Sequence, residues 1–160
     1  MKKWIVTGFG VVIIAVIIIV IMITNNSDDV DMTADQTIAL TVEDAVNVGS
    51  VSLDIIYDPT VIEIVEVKID GLAKNAMMEY NAETLGQVTI GIVDSNGIKG
   101  SGNLVKLGFN VLDQHSVSNI TIENVKAHDA ESLIDVISET YDGQIDASDG
   151  SVLSPGIRFK

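Results

Sequence analysis

An all-β, two-layer antiparallel sandwich preceded by one membrane-crossing helix is the architecture predicted by three features of this sequence. Apolar residues alternate at period two through most of the chain after Thr37. The intervals between the alternating runs carry turn-forming residues. The first two dozen residues form a separate, uncharged apolar run. A length of 160 residues leaves room for about one such domain.

The apolar run comes first. Lys2 and Lys3 precede Trp4–Thr24, which holds no charged side chain. A helix rising about 1.5 Å per residue needs roughly 20 residues to cross a hydrocarbon layer of about 30 Å. The run has that length, and no small-residue cleavage pattern follows it. It therefore predicts an uncleaved signal anchor over residues 1–24. The two lysines place the N-terminus in the cytoplasm and the remaining chain outside the cell membrane, as a single-pass protein. Gly8-Phe9 heads the run as in a type IV prepilin leader. The fifth position after that junction is Ile13, where such leaders place a glutamate.

Composition narrows the function. The chain carries 9 basic and 23 acidic residues, a net charge of −14, and every acidic residue lies beyond Asn25. So acidic a body repels phosphate backbones, which excludes nucleic acid as a partner. The absence of cysteine removes disulfides, thiolate metal sites and a cysteine nucleophile. Aromatic residues make up 4%, too few for a sugar site of stacked rings. Residues 25–36 read as a short polar linker, 37–146 as the sandwich and 147–160 as a flexible C-terminal tail.

Within the sandwich, Ile38, Leu40 and Val42 alternate with Thr37, Ala39 and Thr41. Val51, Leu53, Ile55 and Tyr57 alternate with Ser52, Asp54 and Ile56. Further strands are expected at Val61–Ile69, Ala76–Asn81, Gln87–Val93, Leu104–Leu112, Asn119–Val125, Leu133–Ile137 and Gly143–Ile145. Val, Ile and Thr dominate them, as suits a pleated and half-buried surface. Asp58-Pro59 predicts a turn because proline presets its own φ. Asn96-Gly97 predicts a tight hairpin turn. Turns are also expected at Asn47-Val48-Gly49, Ile69-Asp70-Gly71 and Thr84-Leu85-Gly86. The C-terminal stretch contains Ser154-Pro155-Gly156 without periodicity and reads as a linker, and its Arg158-Phe159-Lys160 ending has no evident role.

Four segments then carry a family likeness. Val48-Gly49-Ser50-Val51-Ser52-Leu53-Asp54-Ile55-Ile56-Tyr57-Asp58-Pro59 resembles an early strand and turn of cohesin domains, continuing through Val61–Val67. Gly86-Gln87-Val88-Thr89-Ile90 resembles the family's G-x-V-x-I strand. Gly97–Phe109 resembles its G-x-x-G-x-G-x-L-x-x-L-x-F segment. The likeness spans roughly Thr37 to Ile145. It implies a nine-stranded sandwich with jelly-roll topology, and it implies dockerin modules as partners, with calcium belonging to the dockerin and no cofactor in this chain. Families of this type open with a strand ahead of Thr37–Val42. Here only Val30-Asp31-Met32 is available, so that strand is short, lost or supplied by another chain, and an exposed sheet edge would accept a strand in trans.

Reactive chemistry is sparse. His115 and His128 are too few for a histidine metal cluster, and neighbours such as His128-Asp129 point to opposite faces of a strand. Gly97–Gly102 lacks the Gly-Lys-Ser/Thr ending of a phosphate loop. Taking Asp146 as the start of a calcium loop puts Ser148 and Gly150 where oxygen ligands belong, so no EF-type site and no metal residue is assigned. Asn25 and Asn119 open N-x-S/T triplets and are glycosylation candidates.

The likeness implies binding through the outer face of one sheet. Period two then assigns Ser52, Asp54 and Ile56, Gln87, Thr89 and Val93, and Thr121 and Glu123 to that face, with Gly91 among them. Ile56 and Val93 are the informative members, since an outward aliphatic side chain favours a partner. The expectation is a non-catalytic cell-surface module tethering dockerin-bearing proteins to the membrane. The alternatives are a structural, pilus-like subunit self-associating through an exposed edge and a carbohydrate-binding sandwich. Tyr57, Tyr80 and Tyr141 are too few to favour the last.

Overall fold

The computed structural model describes residues 34–160. The expected membrane segment, most of the polar linker and Asn25 lie outside the described residues. Among the described residues no helix is long and apolar enough to cross a membrane. The elements are β1 (Gln36–Ile56), β2 (Ile62–Ile69), β3 (Met77–Asn81), β4 (Gln87–Val111), β5 (Val117–Asp129), β6 (Ile137–Tyr141), β7 (Gly143–Asp146), β8 (Ser151–Leu153) and β9 (Gly156–Phe159), with a 3-10 turn at Gly71–Ala73.

Two strands belong to both layers. The first half of β1 pairs antiparallel with the end of β4, from Gln36↔Phe109 to Val42↔Gly102. Its second half pairs with the start of β4, from Ser50↔Val93 to Ile56↔Gln87. One layer therefore runs β2–β4–β1–β9–β6, and the other runs β3–β4–β1–β5. The β7–β8 hairpin extends from the beginning of β5. Alternating Ile38, Leu40, Val51, Leu53 and Ile55 of β1 meet Val88, Ile90, Ile92, Leu107 and Phe109 of β4 in one continuous apolar core. Ile120, Ile122 and Ile145 complete it from the β5 side.

The crossing between layers corrects two expected turns. Asn96-Gly97 does not reverse the chain, and neither does Asn47-Val48-Gly49. Both lie where β4 and β1 cross the corner together, with Val48 opposite Ile98 and Ala45 opposite Gly100. The register slips repeatedly here, and Asp44, Asn47 and Gly97 take φ values of 59°, 58° and 70°. Strands commonly switch sheets through such bulges. A Cβ on Gly97 would fall 2.3 Å from the Asn47 side-chain oxygen, so the corner leaves room for hydrogen alone. The other expected turns hold. Asp58 accepts from both the N–H and the hydroxyl of Thr60, and Asp70 accepts from the Gly71 N–H.

The expected strand at Leu133–Ile137 is displaced. Residues 133–136 form a loop with Leu133 at φ 57°, and the strand runs Ile137–Tyr141 instead. Asp129 organises that loop by accepting from the N–H groups of Glu131 and Ser132, a local alternative to strand pairing.

The C-terminal stretch is not a linker. Gly156–Arg158 pairs in parallel with Thr41–Glu43, and β9 also pairs antiparallel with β6. Val30-Asp31-Met32, the candidate opening strand, lies outside the described residues, and the β1 edge at Thr41–Glu43 is occupied by Gly156–Arg158. Ile157 and Phe159 point into the core, fully buried and 4% exposed. Between them Arg158 donates to Glu43 at 2.7 and 2.9 Å, reaches Glu139 at 3.3 Å and lies 5.1 Å from the centre of the Tyr141 ring. Those ion pairs are solvent-exposed and stabilise weakly. Burial of the two apolar side chains dominates, each contributing about 1.5–3 kcal/mol.

If β9 closes the core, its loss is felt throughout the domain. Ile157→Ala is expected to cost about 2–5 kcal/mol and Phe159→Ala about 3–5 kcal/mol, read from denaturant midpoints. A freely moving tail would leave both midpoints unchanged.

Candidate functional site

The outer surface of the β3–β4–β1–β5 layer is a lattice of side chains set by register. Across its first row stand Met77, Val93, Ser50 and His128. The second row holds Glu79, Gly91, Ser52 and Lys126. Asn81, Thr89, Asp54 and Glu123 form the third, and Gln87, Ile56 and Thr121 the fourth. All eight residues expected on an outer face therefore lie on this one. The two aliphatic members differ: Val93 is 51% exposed, whereas Ile56 is half-buried between Gln87 and Thr121.

Asp54 is the unusual member. It points away from the core yet is only 9% exposed. Its carboxylate accepts from the Thr89 hydroxyl at 2.6 Å and from the Asn124 amide at 2.7 Å. These two bonds, with a lesser one from Gln87, outweigh the cost of burial and hold its pKa below the ordinary aspartate value. Asn124 reaches Asp54 because β5 bulges there. Ser52 is opposite Lys126 but Asp54 is opposite Glu123, which leaves one extra residue, and Asn124 takes φ 51°.

Period two extended along a regular β5 could not place Asn124, Lys126 and His128 on this face, because the bulge resets the alternation. Met77, Glu79 and Asn81 were also missed. Their signal was the short connection from Asn81 to Gln87, which fixes β3 beside β4 and sets Glu79 opposite Gly91. Asn119 is exposed and accepts from the Gln144 side chain at 3.0 Å, while His128 faces Ser50 at 3.5 Å. The acidic stretch beyond Asp142 forms the β7–β8 hairpin, where Asp146 accepts from the Ser148 N–H. Among the described residues no three carboxylate or imidazole groups converge as a metal site would require.

The paired layers, their shared strands and the open outer face find a counterpart among known proteins. The profile of the cohesin domain matches residues 19–147. This chain belongs to the cohesin family. A non-cellulosomal cohesin from the hyperthermophilic archaeon Archaeoglobus fulgidus is similar to it at 26% identity and a TM-score of 0.56, covering 79% of this chain and 80% of that one. The OlpC cohesin of a type I cohesin–dockerin complex from Clostridium thermocellum shares 17% identity at a TM-score of 0.55, over 79% of this chain and 97% of that one. The third ScaC cohesin of Acetivibrio cellulolyticus, solved with the ScaB dockerin, shares 14% identity at a TM-score of 0.51, over 79% and 90% of the two chains. At those last two identities the likeness is one of fold. No curated protein sequence matches the chain.

The hydrogen bonds at Asp54 of this cohesin have a pH signature. A lowered folded-state pKa contributes stability that is complete above the unfolded value of about 3.9 and is lost as pH falls through the folded value. Thr89→Val is expected to raise the Asp54 pKa toward the ordinary value and to shift the acid loss of stability to higher pH. Carboxyl-carbon NMR titration reads the first effect, and an unmoved Asp54 resonance would show that Thr89 does not hold it.

Proposed function

We propose that this cohesin is a non-catalytic module that binds dockerin-bearing proteins through the β3–β4–β1–β5 face, and that an N-terminal signal anchor holds it on the outer side of the cell membrane. The observation that carries the binding assignment is the convergence on one open sheet face of all eight residues that period-two alternation assigns to an outer face. Cohesins of the same fold occur in complexes with dockerins, which supports that partner class. Half-exposed Val93 beside exposed Met77 supplies an apolar anchor, and hydroxyl and amide groups around it supply directional contacts. The anchor rests on Lys2, Lys3 and the uncharged 21-residue run Trp4–Thr24. Calcium in this reading belongs to the dockerin. Asn25 and Asn119 remain glycosylation candidates for a host that modifies such triplets.

A structural subunit assembling by strand exchange is the second reading. Its support is the side of Gln36–Leu40 facing away from β4, where no described strand pairs. Against it, β9 already occupies Thr41–Glu43. For a carbohydrate-binding role, Tyr80 is the one largely exposed aromatic ring among the described residues, too little for a site of stacked rings.

Titration calorimetry of the full chain in detergent against a panel of dockerin modules tests the assignment. Binding is expected with calcium and is expected to vanish with chelator. Val93→Lys should weaken it by about 30-fold or more, the scale of a hot-spot loss near 2 kcal/mol. Leu153→Lys, on β8 away from the face, should leave it unchanged. Concentration-dependent self-association without dockerin binding would favour strand exchange instead.

A further inference from the structure

Gly91 stands at the centre of the docking lattice, and nothing in this fold requires it to be glycine. Among the described residues, every other glycine either has positive φ or would drive a Cβ into a neighbouring atom. Gly49 and Gly143, for instance, would place it 2.4 and 2.5 Å from backbone atoms of Ala130 and Leu153. Gly91 has neither constraint. Its φ is not positive, and a Cβ there would meet only the Glu79 carbonyl oxygen, at 3.9 Å. A side chain would fit, and a glycine inside a strand costs stability relative to one that packs.

A groove of about 310 Å³ lies over Gly91, bordered by Ser52, Glu79, Tyr80, Asn81 and Thr89. Along the lattice, Val93 and Met77 stand on one side of it and Asp54 and Asn81 on the other. The immediate surroundings carry two carboxylates, Glu79 and Asp54, and no cation. Glu123 lies beyond Asp54, and Lys126 beyond Ser52 is the one lysine or arginine of the four-strand lattice. Asp54 already spends its oxygens on Thr89 and Asn124. Glu79 is exposed and, among the described residues, forms no ion pair.

We infer that the notch over Gly91 receives a lysine or arginine side chain of the dockerin, its cationic head paired with Glu79 and its methylene stem lying over the bare backbone. The assignment rests on the proposed dockerin-binding face and adds the chemistry of the residue that enters it. A long aliphatic stem fills space that any residue larger than glycine at position 91 would occupy. A cationic head complements the exposed carboxylate beside it, which has no ion-pair partner among the described residues.

Gly91→Val and Glu79→Gln in the full chain test this, with a dockerin that binds the wild type. Gly91→Val should melt at or above the wild-type temperature, because valine suits an open strand position. It should nevertheless weaken binding by about 10-fold or more, as expected when a central contact is blocked. Glu79→Gln should also weaken binding and reduce its salt dependence. Substituting the dockerin's basic residues one by one should then identify a single position whose loss has no further effect in the Glu79→Gln background. Unchanged affinity in both cohesin variants overturns the notch while leaving the binding face intact.

If no dockerin binds, the proposed function fails and the notch is read separately. N-acetyl-arginine methylamide should then shift the amide resonances of Gly91 and Glu79, and the neutral norleucine analogue should not. Equal or absent shifts overturn the inference.

Discussion

Both layers depend on the pairing of β1 with β4, which runs in two antiparallel segments on either side of a bulged corner. The two strands stay antiparallel partners from Gln36↔Phe109 to Ile56↔Gln87 while passing together from one layer to the other. The same two strands therefore set the register of both sheets, with one ladder segment in each. Because side chains alternate at period two, a one-residue slip in the shift-free segment Ser50–Ile56 would exchange its core and surface faces. The corner absorbs the bend with left-handed residues and register shifts. Asp44 and Asn47 adopt positive φ there, and Gly97 packs against Asn47 more closely than any side chain would allow.

From that ladder the outer face follows. Val51, Leu53 and Ile55 are drawn into the core, so Ser50, Ser52, Asp54 and Ile56 must face out, and β4 answers with Val93, Gly91, Thr89 and Gln87. The face is not uniform. Asp54 is sunk among hydrogen-bond donors and keeps its charge because Thr89 and Asn124 replace the water it loses. Glu79 stays solvated at the edge. One carboxylate is thus held within the sheet by its donors, while the other stays exposed.

Closure of the β2–β4–β1–β9–β6 layer comes from Gly156–Phe159. Ile157 and Phe159 enter the core on either side of Arg158, and that arginine, without evident purpose in the sequence, spans Glu43 on β1 with Glu139 and Tyr141 on β6. Cooperative stability therefore depends on contacts between residues more than a hundred positions apart. Such long-range pairing is costly in loop-closure entropy and repays it only when the final strand docks.

The sequence by itself determined the class of fold, most strand positions, the family and which residues of the central strands face outward. Each of these depends on local periodicity or turn chemistry, which a few neighbouring residues encode. It did not reveal that Asn96-Gly97 lies within a strand, since the same pair serves a hairpin or a bulge according to what packs against it. The four-residue strand Gly156–Phe159 was too short to show a period. Asn124 reached the candidate site only through a bulge in β5, and Glu79 only through the pairing of β3 with β4. Tertiary structure decided those points because strand register and closure are set by partners distant in the chain, and no local pattern carries their identity.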